Sequence, residues 1–529
     1  MLLYITIAVG FAVLTGRLWY MQIYRGAYYA NQAEHNRVRT ELIEPMRGVI
    51  YDRHGTQLVA NVPSFAITMI YSETPPKDRG AIITRLAELT GLEPSDFDAA
   101  LKVAKQNIEA TAVLLSEVPR DRALAVMQDH VNLPGIEVRS QPERSYPDAA
   151  LLSHIIGYVG RLDPETYTAA KQSANPYQLD DIVGKAGLER QYEQQLRGTL
   201  GNRQVEVDVG GRVIKVLQAQ PATPGKSLVL TIDMDLEREA AKALQAGMQA
   251  THATTGAVVV LNARNGEVLA SVTMPSYDNN LFTGGIPYDE WQKLVDNPDR
   301  PLLDRAIGSP IPLGSMFEPI LTAGAIQEGT ISPTAVRPCP ATIETLGTTI
   351  RNRQSRTSPT MTLDGAFSQG CDTFFATLAA DPPARPGLDA SRMADYALGF
   401  GLGKSTGIDV AGEVPGIMPS PAWQVANLGQ PWTQLDTYNL ALGRQNLLIT
   451  PLQVAVAMSA IGNGGALVQP RVVQRLIDTP LAGQRPSFAS STAATEPQPR
   501  HAPVSAATMA AIQHLLTLSA QEGVGAGIR

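Results

Sequence analysis

Ser315 and Glu318 stand three residues apart in PLGSMFEP, Pro312 to Pro319, ahead of an apolar run with helical spacing. A serine hydroxyl becomes a nucleophile when a neighbouring base takes its proton. A glutamate one helical turn away is within reach of that task, but its usual pKa of ~4.3 is too low unless burial raises it. The same residues write a capping box, with Ser315 accepting from the Glu318 backbone N–H and the Glu318 side chain answering to the serine N–H. A glutamate in a first turn also suits the helix dipole. Pro319 resists that register, because proline prefers the first helical position and would start the helix nearer Glu318. For so short a pattern, the capping reading is the more economical of the two.

Positioning such a pair takes a folded frame, and 529 residues suffice for two or more domains with separate cores. A hydrophobic fraction of 44% and a charged fraction of 18% are those of an ordinary globular protein. The net charge of -7 creates no field that would favour DNA or RNA, so nucleic acid is set aside as a partner. Cys339 and Cys371 are too few for a disulfide framework and sit in no histidine-containing cluster, so no metal is expected. Two half-buried free thiols are the plainer expectation; one bridge is open to them outside the reducing cytosol.

The first 23 residues form an apolar stretch with Arg17 as its only charge. That matches the ~20 residues of a bilayer-spanning helix. Trp19 and Tyr20 fall where an interfacial aromatic belt would lie, and Arg17 can snorkel to the same layer. A cleaved signal peptide fits less well, since a basic leading segment and a small-residue cleavage site are both lacking.

Further on, β-type alternation flanks a turn at Asp52 to Gly55, predicting a hairpin. Helical periodicity is expected from Pro75 to Glu117. A second unit opens with a short strand and a helix from about Asp233, followed by a hairpin turning at Ala263 to Gly266. Pro480 to Pro503 has the Pro, Ser, Ala and Thr bias of a flexible loop. An amphipathic helix then follows, with Met509, Ile512, Leu515 and Leu516 on its buried face.

RGVIYDRHG (Arg47 to Gly55), RSYPDAALLSHIIGYVG (Arg144 to Gly160) and VGKAGLERQYEQQLRGTLG (Val183 to Gly201) closely resemble the N-terminal module of class B penicillin-binding proteins. VVVLNARNGEVLASVTMPSYD, FGLGKSTGIDVAGEVPG (Phe400 to Gly416) and ITPLQVAVAMSAIGNGG (Ile449 to Gly465) extend the resemblance over nearly the whole chain, in the family's order, nearest to its elongation type. The resemblance implies an α+β protein with a transmembrane anchor (1–23), a non-catalytic dimerisation or pedestal module (24–220) and a transpeptidase-like domain (221–529) containing the 480–503 loop. It further implies a single pass through the cytoplasmic membrane, with the bulk of the chain extracytoplasmic. Implied partners are peptidoglycan stem peptides or β-lactams where the centre is active, and a SEDS-type glycan polymerase with other elongation proteins. No cofactor is implied.

In this family three elements carry D,D-transpeptidation: SxxK, SxN or SxD, and KTG. The first falls on Ser315, the nucleophile position, with Glu318 in place of the lysine that activates it. An anion there is expected to repel the carboxylate of the donor peptide. The second falls on Gly370, Cys371 and Asp372; Gly370 replaces the relaying serine and reads as a small residue for close helix packing. The third lies beyond EGVGAGIR, where the sequence stops. A chain cut short and a diverged paralogue both fit that ending, but only divergence explains Glu318, Gly370 and GRQN (Gly443 to Asn446), where relatives carry a GQG-type turn. Without the later strands, the Met509 to Leu516 face would lose its cover. The expected function is a pseudoenzyme or scaffold in cell elongation; the alternative is an active transpeptidase acylated at Ser315.

Overall fold

The computed structural model describes residues 2–26, 38–106, 111–163, 165, 167, 175, 177, 181–207, 213–345, 348–352, 357–379, 387–480, 487, 492–493, 500–523 and 526. Helix α1 (Leu2–Trp19) continues into wider π-type turns at Tyr20–Tyr24. The segment Tyr4–Tyr24 has a mean hydropathy of 1.3 and is wholly exposed. Those 21 residues are long and apolar enough to cross a bilayer.

A seven-stranded sheet links the two halves of the chain. Its strands are β1 (Ile50–Tyr51), β2 (Gln57–Ile70), β3 (Thr111–Val118), β4 (Ile136–Ser145), β5 (Lys226–Leu230), β6 (Val473–Asp478) and β7 (Thr492–Ala493). The turn expected at Asp52 to Gly55 joins β1 to β2; the Asp52 carboxylate closes it by accepting from the N–H groups of His54 and Thr56. β5 runs parallel to β1 and antiparallel to β6, so segments about 180 and about 250 residues apart in sequence are hydrogen-bonded neighbours. The expectation of helix through Glu117 is corrected: helices end at Gln106, and β3 pairs with β2. The cause is the alternation in TAVLLSEV, which turns Leu114 and Val118 into the core shared with Ile67 and Leu86.

The blocks of resemblance meet at one buried charge network. Glu189, wholly buried, accepts from Arg47 Nε at 2.8 Å and from Arg144 Nε at 2.7 Å, while Arg47 also pairs with Glu193 at 2.7 Å. Burial pushes the Glu189 carboxyl up, but Arg144 and Arg47 outweigh it and hold the carboxyl below its ordinary value. The Tyr192 hydroxyl donates at 2.9 Å to Asp409, whose carboxylate also accepts from the backbone of Val472 and Val473. Packing around Ile50, Leu188, Leu228, Met234, Leu452 and Val472 makes the junction a continuous core.

In the second half, Asp233 caps helix α2 (Met234–Thr251) by accepting from Asp235 and Leu236. Strands Gly256–Leu261 and Val268–Met274 form the expected hairpin, covered on one side by α2. The helical lobe contains α3 (Glu318–Gln327), α4 (Leu363–Gln369), α5 (Asp372–Ala379), α6 (Pro451–Gly462) and α7 (Ala506–Glu522). The expectation that the last helix lacks cover is corrected: Met509, Ile512 and Leu515 are buried against the lobe, where α7 packs on α3, α4 and α6. Most of the predicted loop at 480–503 lies outside the described residues.

Candidate active site

Ser315 lies in a single 3-10 turn, Gly314–Phe317, that runs straight into α3. Two contacts fix the approach to it. Ile311 and Pro312 pair with Ile449 and Leu448, and the Gly314 N–H donates to the Gly443 carbonyl at 2.8 Å. Gly443 has φ of +64°, and a Cβ there would stand 2.2 Å from the Gly314 oxygen, so only glycine fits. Ser315 itself is exposed.

The capping box does not form. Ser315 lies inside the 3-10 turn, after Gly314 at a left-handed φ of +59°, and neither that turn nor α3 carries a side-chain cap. Pro319 occupies the first turn of α3, as its fixed φ favours, which places Glu318 at the start of the helix. Glu318 stays one turn from Ser315, whose hydroxyl favours the ionised form of the carboxyl.

Glu318 is only 6% exposed. Burial pushes its carboxyl up to about 8, with a further upward push from Asp372, against the Ser315 hydrogen bond and Arg444, which pull down. The anion expected at this position is thus mostly a neutral acid at neutral pH. That lessens the repulsion anticipated for an anionic substrate and also removes most of the base.

Asp372 begins α5 and is buried; its Oδ2 accepts from Arg444 Nη2 at 2.7 Å. Arg444 belongs to the GRQN turn, where Gln445 holds a left-handed φ of +57°. Gly370 also differs from its expected role. With φ of +70° it ends α4, its N–H donating to the Ala366 carbonyl at 2.9 Å, so a left-handed backbone favours the glycine. The expectation of free thiols is overturned as well: Cys339 and Cys371 form a disulfide with Cα atoms 6.3 Å apart. The bridge ties Cys371, the residue between Gly370 and Asp372, to the strand Val336–Cys339.

The structure thus gathers Ser315, Glu318 and Asp372 and adds Arg444, which the sequence reading singled out only as part of an unusual turn. Gly370 supplies the bend before Asp372 and no functional group. No group of three or more histidine, cysteine, aspartate or glutamate residues suited to a metal is present among the described residues. A cavity of about 170 Å³ elsewhere, lined by Arg47, Asn61, Phe65, Arg144 and Thr283 among others, includes none of these four site residues.

Residues 42–230 match the family described as the penicillin-binding protein dimerisation domain, and residues 256–529 match the penicillin-binding protein transpeptidase domain. The chain is 33% identical over 476 residues to the peptidoglycan D,D-transpeptidase MrdA of Salmonella typhimurium, covering 88% of this chain and 73% of the relative. MrdA of Escherichia coli K12 is 32% identical over 470 residues, covering 87% and 71%. Among solved structures, the complex of penicillin-binding protein 2 with MreC from Helicobacter pylori aligns with a TM-score of 0.75 at 24% identity, over 92% of this chain and 84% of that one. A peptidoglycan synthase complex, solved for its coordination of polymerization and crosslinking, aligns with a TM-score of 0.68 at 28% identity, over 99% and 85%.

Proposed function

The chain belongs to the penicillin-binding proteins of the penicillin-binding protein 2 type, which join a dimerisation domain to a transpeptidase domain, and from that premise we propose that it serves cell elongation with an impaired transpeptidase centre. The observation that carries the impairment is the buried Glu318 carboxyl against the Ser315 hydroxyl. A protonated carboxyl can give a hydrogen bond to the serine oxygen but cannot take its proton. Gly370 offers no hydroxyl to relay a proton to a leaving amine.

On this reading the protein acts as a scaffold, anchored by one pass of α1 with the rest of the chain outside the cytoplasmic membrane. The Cys339–Cys371 bridge supports an oxidising compartment. The module built on Arg47, Arg144 and Glu189 would meet a SEDS-type glycan polymerase, and the relative solved as a synthase complex supports that choice of partner.

The test is labelling of the full-length protein with a fluorescent penicillin at neutral pH. No labelled band is expected, and a Ser315→Ala allele should support elongation as well as the parent. A band that disappears with Ser315→Ala would overturn the impairment.

A second reading has its own supporting observation, since a base of pKa about 8 in contact with a serine is well tuned once ionised. Glu318 would then take the Ser315 proton as Oγ bonds to the carbonyl carbon of a D-Ala-D-Ala peptide or a β-lactam. The scissile C–N bond would break, and the proton would pass to the departing nitrogen. This reading is marked by labelling that grows as pH rises through about 8.

A further inference from the structure

The cavity of about 170 Å³ beside the buried charge network is large enough for a small organic molecule, since an apolar cavity of ~150 Å³ holds benzene. Its walls come from both halves of the chain. Phe65, Val113, Val159 and Leu200 lie within the segment that matches the dimerisation domain, whereas Thr283 and Gly284 lie within the segment that matches the transpeptidase domain.

Seven charged residues line this space, and most are matched inside the protein. Arg47 is met by Glu189 and Glu193, Arg197 is met by Asp181 at 2.5 Å, and Glu44 has a partner of its own. Three groups are left over. Arg144, with a side chain only 3% exposed, gives Nε to Glu189 at 2.7 Å and Nη1 to the Gly48 carbonyl and to Asn61, while its buried Nη2 finds no acceptor. Arg161, exposed at the end of the strand Val159–Arg161, has no side-chain partner among the described residues. Glu143 accepts a 3.3 Å bond from the Thr283 hydroxyl and has no cation beside it.

A buried donor without an acceptor is costly, and an occupant that supplies the missing oxygen recovers that cost. The unmatched remainder has both signs. A simple anion would leave Glu143 unmatched, and a simple cation would leave both arginines so. We propose that the cavity is a binding site for a small zwitterion with an apolar side chain, an α-amino acid, whose carboxylate meets Arg144 and Arg161 and whose ammonium meets Glu143. Phe65, Val113, Val159 and Leu200 form the apolar wall for its side chain, a few polar anchors on a mostly apolar lining being the usual make-up of such sites. An occupant there would touch both matched domains at their junction. The proposal is independent of whether Ser315 is acylated.

The test is saturation-transfer NMR and calorimetry on the full-length protein with L- and D-valine. Isovalerate keeps the carboxylate and the branched carbons of valine, and isobutylamine keeps the ammonium. At least one valine enantiomer should bind, and both singly charged analogues should bind about tenfold more weakly, because each leaves charged groups of the site without a partner. Arg161→Gln and Glu143→Gln lie outside the buried network and should each weaken valine by about two- to fivefold, as expected of partly exposed ion pairs, without lowering the melting temperature of the free protein. A cavity that takes up water only, with no transfer to either enantiomer, would overturn the proposal. So would isovalerate or isobutylamine binding as well as valine on the parent protein, or valine binding that ignores both substitutions.

Discussion

Glu318→Gln tests the chemistry of the site without any ligand. In the unfolded chain this carboxyl titrates near 4.5; in the fold it titrates near 8, chiefly because burial penalises its charge. Below the lower value both states hold the proton and the residue contributes no pH dependence. As pH rises above it, the unfolded chain ionises while the folded one does not, and stability falls by about 1.4 kcal/mol per unit until the folded carboxyl ionises as well. The loss reaches about 3 kcal/mol at neutral pH and about 5 kcal/mol once ionisation is complete. Glutamine fills nearly the same volume, can still pair with the Ser315 hydroxyl and does not titrate. The variant should therefore match the parent below pH about 4 and gain on it steadily up to pH about 8, after which the gap levels off. Equilibrium urea unfolding of parent and variant across that range measures the difference directly. A gap that stays constant within about 0.5 kcal/mol would show that Glu318 is not held neutral by the fold and would remove the basis for impairment at Ser315.

Three further outcomes follow from the same geometry. Opening the Cys339–Cys371 bridge, by reduction or by replacing both cysteines with serine, should cost about 3 to 4 kcal/mol for a 32-residue separation, read as a lower urea midpoint. Glu189→Gln leaves Arg144 buried against a neutral partner, while Arg47 keeps Glu193, and should cost about 3 to 5 kcal/mol, visible as a lower melting temperature. The parent should also lose stability as pH falls below about 4.5, since Glu189 is held below its ordinary value, and the variant should lose that part of the acid sensitivity. Gly443→Ala forces a Cβ onto the Gly314 carbonyl and should destabilise by about 1 to 3 kcal/mol, read as a lower urea midpoint.

Local signals in the sequence identified the frame where one segment sufficed to define an element. Asp52 and Gly55 mark their turn, Asp233 its cap, and the spacing of Met509, Ile512 and Leu515 a helix face, because each signal is short-range. What covers that face was not legible, since α3, α4 and α6 reach α7 through tertiary packing. The strand at Thr111–Val118 was lost inside a helical expectation because leucine and alanine fit both periods and only pairing with β2 decides. Ser-x-x-Glu was ambiguous for a related reason. A capping box requires an extended residue at its start, and that backbone is set by the clamp from Gly443, 128 residues later. Pairing of Cys339 with Cys371 is equally a matter of Cα approach, which spacing does not encode.

The two charge clusters of this molecule have opposite consequences. At the junction, Glu189 is bracketed by two guanidinium groups and stays ionised, so the network favours one arrangement of the modules and resists neutralisation. Beside Ser315, the ion pair of Arg444 goes to Asp372 and not to Glu318. Glu318 is buried without an ion pair of its own in the described residues, and the least costly way to bury it is with its proton on. The stability lost to keeping this proton accrues between about pH 4.5 and 8 and then levels off, whereas nucleophilicity at Ser315 should rise only as the folded carboxyl ionises at about pH 8 and above. Measuring both on one preparation separates a centre that has merely lost its base from one that releases it only above pH about 8.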